Sequence, residues 1–343
     1  MVIELSELIL NALINTFTFT STELVLVLIL AVLLDLIFGE PPAALHPVVW
    51  IGKLTGFLKE RAPKNNRKLY GILMALTVIA FSVSVAFAVV FIAHLEFVPF
   101  FVGVSIQALF LKASFAIKCM VQPAGEIQKI LDKDIETARQ ELVAYVSRDT
   151  SKLDRNQIVS AVTESISENY VDSLMSPMFF YVIFGPFGLP AAYLFKAVST
   201  LDSMVGYKTE KYLRLGWFSA KFDDLLNWIP ARLSPFFIMA GAAVSNLFKG
   251  RLEKFSPVEG LKLAFKENKA TPSPNSGWPM AAAAGALRVR FEKPNTYVIG
   301  DGYRKPEPPD ISRVSVLIIV TSVMTGIVSC LAISAVWYAV TFI

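Results

Sequence analysis

Histidine and cysteine are almost missing from this chain, with two of each in 343 residues: His46 and His94, Cys119 and Cys330. Two cysteines make no disulfide framework, and Cys330 sits inside an apolar run. Two histidines exclude a His-rich metal site, and no paired ExxH motifs of a di-iron bundle occur. No GxxxxGK[ST] phosphate loop and no GxGxxG fingerprint appears, so the two commonest nucleotide cradles are absent as motifs. A GxSxG nucleophile elbow is also missing. The N-terminus has no basic region and no small-residue cleavage site, which argues against a cleaved signal peptide. Charge is scarce too, at 17% of residues, where soluble domains carry about 25%. The formal net charge of +4 is modest; in such a chain it speaks of topology before nucleic acid, which is not expected as a partner.

What the chain has instead is length of apolar sequence. A helix needs about 20 residues to cross a hydrocarbon core. Ser21 to Phe38, Tyr70 to Ala93, Phe97 to Ile117 and Val314 to Ile343 qualify, the third broken only by Lys112. Two weaker runs follow. Leu174 to Phe195 contains Pro177, Gly185-Pro186, Gly188 and Pro190, the pattern of a broken or re-entrant helix. Leu233 to Phe248 is short for a span. The expected fold is therefore all-α, a polytopic helical integral membrane protein with four to six crossings and with cytosolic polar helices and loops.

Lys and Arg set the expected orientation. Six fall in 41–69, seven in 118–171 and twelve in 249–313, but none in 1–20. These three polar segments are expected in the cytosol and both termini outside. That holds if 174–195 and 233–248 both cross or if neither does; the second case is preferred because it keeps 199–232 with the other polar motifs. The chain reads as one membrane-embedded domain over 1–343. Residues 118–172 form a cytosolic helical segment with an acidic motif, and 249–313 a cytosolic segment with an SPNSGWP loop. A charged amphipathic helix is expected over Gly125 to Ser147, and Ser151-Lys-Leu-Asp154 resembles a capping box for a second helix reaching about Val171.

Five polar clusters carry the chemistry. On the 154–172 helix, Glu164, Glu168 and Asp172 are four residues apart, so they share one face that drifts by about 40° per step. Gln157 and Ser160 continue the stripe. Like charges at this spacing repel, and a divalent cation such as Mg²⁺ would neutralise them; a solvated face or pairing with Lys and Arg is the plainer reading. Arg148-Asp149-Thr150-Ser151 offers hydroxyls, a guanidinium and helix-start N–H groups to an anion, or is an ordinary capped start. In 201–233, Asp202, Asp223, Asp224, Asn227 and Arg232 crowd near apolar sequence. Asp223-Asp224 begins, but does not complete, a DDxxD diphosphate motif. The SPNSGWP loop presents Asn275 and Ser276, or is a surface turn. Finally, Asp35 near a span end precedes Glu40 and His46, and an ionisable residue there is a functional-site hypothesis.

In order along the chain these clusters read DLIFGEPP with HPVVWIGK, RDTSKLD with AVTESISENYVDS, STLDSMVGYK with FDDLLNWIPAR, SPNSGWPMAAAAGAL, and YVIGDGYRKPEPPDI. That series resembles the adenosylcobinamide-phosphate synthase family, also described as cobalamin biosynthesis protein CobD/CbiB. The match runs from about Leu33 into the last span. The resemblance implies an ATP-dependent, Mg²⁺-dependent acid–amine ligation in the cell membrane, with the active site on the cytosolic face. Adenosylcobyric acid would be joined to aminopropanol or its O-phosphate. A carboxylate condenses with an amine once its oxygen becomes a leaving group, and an acyl phosphate is the usual device.

On that reading Glu164, Glu168 and Asp172 hold metal, and Arg148 and Lys208 hold phosphate. Asp202, Asp223 and Asp224 are the catalytic candidates. Asp149, Thr150, Ser151, Asp154, Asn169, Asn227, Arg232, Asn275, Ser276, Trp278, His46 and Glu40 complete the substrate-binding set. Partners would be the corrinoid, the amine phosphate, membrane lipid and other enzymes of cobalamin assembly. The competing expectation is a corrinoid-binding scaffold or transporter without catalysis of its own. Broken spans favour a transporter, but the ionisable residues cluster outside mid-membrane sequence. An intramembrane phospho- or prenyltransferase would need the acidic motif that Asp223-Asp224 leaves unfinished.

Overall fold

The computed structural model describes residues 20–248 and 254–340, with side chains as far as Trp337. Residues 1–19, the first five residues of the 249–313 segment and the last three of the chain lie outside it. The described chain is helical apart from one small hairpin, as expected. Four helices are long and apolar enough to cross a membrane, or five if one bent pair is a single span. It is a multi-pass helical membrane protein.

Helix α1 (Ser21–Phe38) starts at Thr20, whose side chain accepts the Glu23 N–H. After α2 (Pro47–Glu60), α3 (Arg67–Ala93) is the clearest span, with mean hydropathy 2.6. The third apolar run folds differently from its sequence reading. Helix α4 (Phe100–Ser114) is too short to span alone and qualifies only with α5 (Lys118–Leu131), across a 44° bend. The amphipathic helix expected over Gly125 to Ser147 is two helices, α5 and α6 (Ile135–Leu142). Asp134 ends the run by capping α6, accepting the Glu136 N–H.

Helix α7 (Arg155–Tyr170) ends where the sequence reading placed it, but the chain stays helical. A wide turn at Val171–Met175 leads into α8 (Ser176–Phe184), a tight turn at Gly185–Phe187 and α9 (Gly188–Val205). The wide turn precedes Pro177, which has no N–H to give the carbonyl one turn back. The second break is glycine-dependent. Gly185 has φ +50, and a Cβ there would lie 2.2 Å from the Trp337 ring. The broken-helix expectation for 174–195 is thus met, and Arg155–Val205 as a whole counts as a candidate span. Helices α10 (Trp217–Leu226) and α11 (Trp228–Ser245) follow. Helix α11 is not a candidate span, which separates the two weak runs that the sequence treats as a pair.

The chain next forms α12 (Pro257–Glu267), α13 (Gly277–Leu287), a hairpin of β1 (Phe291–Lys293) and β2 (Tyr297–Ile299), and the long α14 (Pro308–Val340). The hairpin is antiparallel, with Lys293 opposite Tyr297. Its turn contains Asn295 at φ 59, a conformation Asn tolerates better than most residues.

The chain divides into two compact units. One holds the described residues through Ala116, Ser176–Leu226, and the chain from Gly326 on. There α9 packs on α2, α3, α4 and α10, and α1 packs on α4. The other holds Ile117–Met175 and Asn227–Thr325. Its centre is α13, every residue of which is buried except the half-exposed Trp278. Small side chains let α12 approach: a Cβ on Gly285 would lie 2.5 Å from the Glu259 carbonyl oxygen. Helix α7 packs on α13, α5 and α6, and carries β1 on its flank.

Candidate functional site

The acidic stripe of α7 lies in the second unit, and its first member is the best-held side chain there. Glu164 is 1% exposed. Its Oε2 accepts from Arg148 Nη2 at 2.7 Å and from the Tyr297 hydroxyl at 2.6 Å. Its Oε1 accepts from the Ser160 hydroxyl at 2.6 Å. Ser160 in turn accepts the Glu292 backbone N–H at 2.7 Å. One carboxylate thus joins α7, the loop before it and both strands of the hairpin. Burial, then Glu164's negative charge, pushes the Tyr297 hydroxyl well above the ordinary tyrosine range, so it stays protonated and donates. Arg148 is held above its ordinary value because Glu164's charge and hydrogen bond outweigh burial, which alone would lower it. Its Nε is buried and has no acceptor.

The sequence reading gave this stripe to a metal as three carboxylates; in the structure Glu164 is engaged by other partners. Both Glu164 oxygens are filled by a cation and two hydroxyls. Among the described residues no group of three His, Cys, Asp or Glu is placed to share a metal ion. Glu168, one turn on, makes no hydrogen bond or ion pair with a described residue; it feels first the like charge of Glu164 and then the opposite charges of Lys293 and Arg148. Asp172 falls in the wide turn after α7. Asp154 and Gln157, not Ser151 and Asp154, make the capping box. A Gln at the fourth position completes it equally well.

Other residues of the 148–172 segment shape the backbone. Asp149 accepts from the Ser151 N–H and hydroxyl, bonds that lower its pKa. Thr150 is buried and donates to the Arg139 carbonyl. Asn169 is exposed and donates to Ser165. The SPNSGWP loop, in the same unit, is internally braced. Ser273 Oγ accepts the N–H groups of Asn275 and Ser276, and Ser276 donates to Thr271. Arg232 reaches Asn275 Oδ1 at 3.4 Å, and its guanidinium lies 4.2 Å from the Trp228 ring centre and 5.6 Å from that of Trp278. So Arg232, Asn275 and Trp278 do come together, 43 residues apart in sequence. Asn227 is buried at the start of α11.

The first unit holds the remaining candidates. Glu40 Oε2 lies 2.8 Å from His46 Nε2 and 2.7 Å from Lys112 Nζ, and Lys112 is 3.4 Å from the fully buried Asp35. His46 Nδ1 accepts the Val48 N–H, so Nε2 carries the proton that Glu40 accepts. Burial raises Glu40's pKa, but the hydrogen bonds and charges of His46 and Lys112 more than offset it and leave it low. In the same unit Asp202 on α9 feels the charge of Asp224 on α10. Burial raises Asp224's pKa against the pull of Lys221 and Lys208. Asp223, its neighbour, is half-exposed and Lys208 is exposed.

The sequence reading missed Lys112 and Tyr297. The signal for Lys112 was present: a lone cation in an apolar run. Tyr297 opens the YVIGDGYRKPEPPDI stretch, but nothing in the sequence pairs it with Glu164, because that contact depends on a hairpin of three-residue strands.

Comparison with known proteins agrees with the order of motifs. A family model described as CobD/Cbib protein matches residues 28–338. A probable cobalamin biosynthesis protein CobD of Methanothrix thermoacetophila is 42% identical over 311 residues, covering 88% of this chain and 94% of that protein. The cobalamin biosynthesis protein CobD of Dehalococcoides mccartyi is 40% identical, covering 84% and 91%. A probable cobalamin biosynthesis protein CobD of Methanothermobacter thermautotrophicus is 39% identical, covering 79% and 85%. No solved structure matches.

Proposed function

Because the chain belongs to the CobD/Cbib protein family, we propose that its part in cobalamin biosynthesis is an amide ligation, joining adenosylcobyric acid to aminopropanol or aminopropanol phosphate in the cell membrane, with its site facing the cytosol. The observation that carries this reading is at Arg148. Its Nη2 donates to Glu164 and its Nη1 reaches the Glu292 carbonyl at 3.5 Å, yet its Nε–H is buried without an acceptor. A phosphate oxygen is the natural partner for that donor, since Arg binds phosphate with two N–H groups of its planar fork. Lys293, opposite Tyr297 on the hairpin, adds a second cation with no ion pair among the described residues.

The residues fit a phosphate better than a bare metal. Glu164 belongs to the scaffold: it orients Arg148 and keeps Tyr297 as a donor. Glu168 is the carboxylate of the stripe left open to a Mg²⁺ that arrives on a phosphate, the usual way this ion binds. ATP would supply the phosphoryl group that makes the carboxylate oxygen a leaving group. This chain's own residues would position that group and neutralise its charge, which is most of what phosphoryl transfer asks of a protein.

The test is an assay of the purified protein in detergent with adenosylcobyric acid, aminopropanol phosphate, Mg²⁺ and ATP, read by mass spectrometry of the corrinoid. Wild type should form the amide. Glu168→Gln and Arg148→Lys should lose at least tenfold in rate, a loss of about 1.4 kcal/mol of transition-state stabilisation. Wild type that binds corrinoid but makes no product would replace this reading with that of a scaffold or transporter.

A further inference from the structure

One end of the first unit concentrates cations. Between Phe57 and Tyr70, and between Tyr207 and Trp217, the chain carries eight Lys or Arg against two Glu. The fold brings these two stretches together. Tyr70 donates to the Leu58 carbonyl at 2.7 Å, and Gly71 is packed so tightly on Leu215 that a Cβ would lie 2.0 Å from its carbonyl oxygen. Lys59 of α2 lies 5.9 Å from the ring centre of Tyr212, in the loop after α9. Lys68 of α3 lies 3.7 Å from that of Trp217 at the start of α10. Lys211 also lies over Tyr212, at 5.2 Å, and Arg61 over Phe57 at 3.4 Å.

None of the eight cations makes an ion pair with a described residue, and only Lys208 acts on a carboxylate, that of Asp224. The distinction matters electrostatically. A carboxylate partner would hold a cation and cancel its field, whereas an aromatic face holds it and leaves the field intact. The surroundings are apolar and open: Leu69, Leu73, Leu213 and Trp217 are all exposed. Arg67 and Lys68 begin α3, the clearest span. Basic side chains beside exposed aromatics at a span end are the make-up of a headgroup layer.

We propose that this end of the unit is a binding surface for anionic phospholipid headgroups, with the lysines and arginines on the phosphates and the exposed leucines and Trp217 against the upper acyl chains. A soluble phosphate would favour donors converging in a recess. Here the cations are spread over four segments and interleaved with apolar side chains that need covering. Lipid satisfies both, and the inner leaflet that attracts basic segments is the anionic one. The inference is independent of the ligase reading.

The test uses the full chain in nanodiscs of phosphatidylcholine with a minority of phosphatidylglycerol, followed by detergent release and mass spectrometry of the retained lipid. Wild type should retain phosphatidylglycerol in excess over its share of the disc. The triple variant Lys59→Gln, Lys68→Gln, Lys211→Gln should lose that excess, on the order of fivefold for each cation removed at low salt. Lys59→Arg, Lys68→Arg, Lys211→Arg should keep it. So should neutralisation of Lys262, Lys266 and Lys269, exposed cations of the other unit. Equal retention by wild type and the Gln variant would overturn the proposal. So would release of the lipid by pyrophosphate at constant ionic strength, which would mark a soluble phosphate ligand.

Discussion

Two ionic clusters, one in each unit, are balanced differently. In the second unit one carboxylate, Glu164, faces one guanidinium and two hydroxyls. Charge is cancelled, and the neutral donors add hydrogen bonds without adding charge. In the first unit two carboxylates, Asp35 and Glu40, share one ammonium, Lys112, and an imidazole contributes the rest. The first arrangement spreads its stability over several partners. The second concentrates it on Lys112. Buried charge is costly unless paired, so the units should differ in how one substitution is felt.

The largest effect should come from Lys112→Met. Lys112 is 3% exposed and Asp35 is fully buried, so the variant leaves two carboxylates without their cation. Thermal unfolding in detergent should show a loss of about 3–5 kcal/mol. Pairing it with Asp35→Leu should restore much of that, because the uncompensated charge goes too. If the single variant is as stable as wild type, the cluster is not the support described.

Glu164→Gln should cost less, about 2–3 kcal/mol, since Gln keeps an acceptor for Tyr297 while leaving Arg148 without its counter-charge. Tyr297→Phe removes one hydrogen bond to a charged group and should cost about 1.5 kcal/mol. Limited proteolysis in the 291–299 hairpin should report both, with Glu164→Gln the more sensitive. Equal losses for Lys112→Met and Tyr297→Phe would break the contrast between the units.

The spans were legible because long apolar runs are unambiguous: α1, α3 and α14 lie where composition places them. Helix α4 was over-read, since the apolar run through Ile117 hides a bend that becomes a break only because Phe115 is extended. The capping box slipped three residues because Ser151 and Asp154 are both good caps, and local sequence does not choose between them. Among the site residues, sequence spacing correctly put Glu164 and Ser160 on one face of α7. It could not show that the face is covered by a hairpin from residue 291 on, so a stripe that looked open to metal is partly a scaffold. Grouping Arg232 with Asn275 succeeded only as motif order, because their contact depends on α11 lying beside α13.

The smallest effect should appear at the extremes of pH, and on opposite sides for the two units. Glu40's folded pKa is below its reference value of 4.5. The stability it contributes is therefore complete above that value and fades as pH falls through the lower, folded one. Tyr297 is the reverse case, with a folded pKa above its reference of 10.0. Its contribution is complete below pH 10.0 and is lost as pH rises toward the folded value. Acid should therefore loosen the Glu40–His46–Lys112 cluster first, and alkali the hairpin on Glu164. Hydrogen exchange at both extremes reads the two: acid should expose amides of 40–60, and alkali those of 291–299. Glu40→Gln should remove the acid sensitivity of the first unit and leave the alkaline response of the hairpin in place. A variant that changed both would mean that the clusters do not titrate independently.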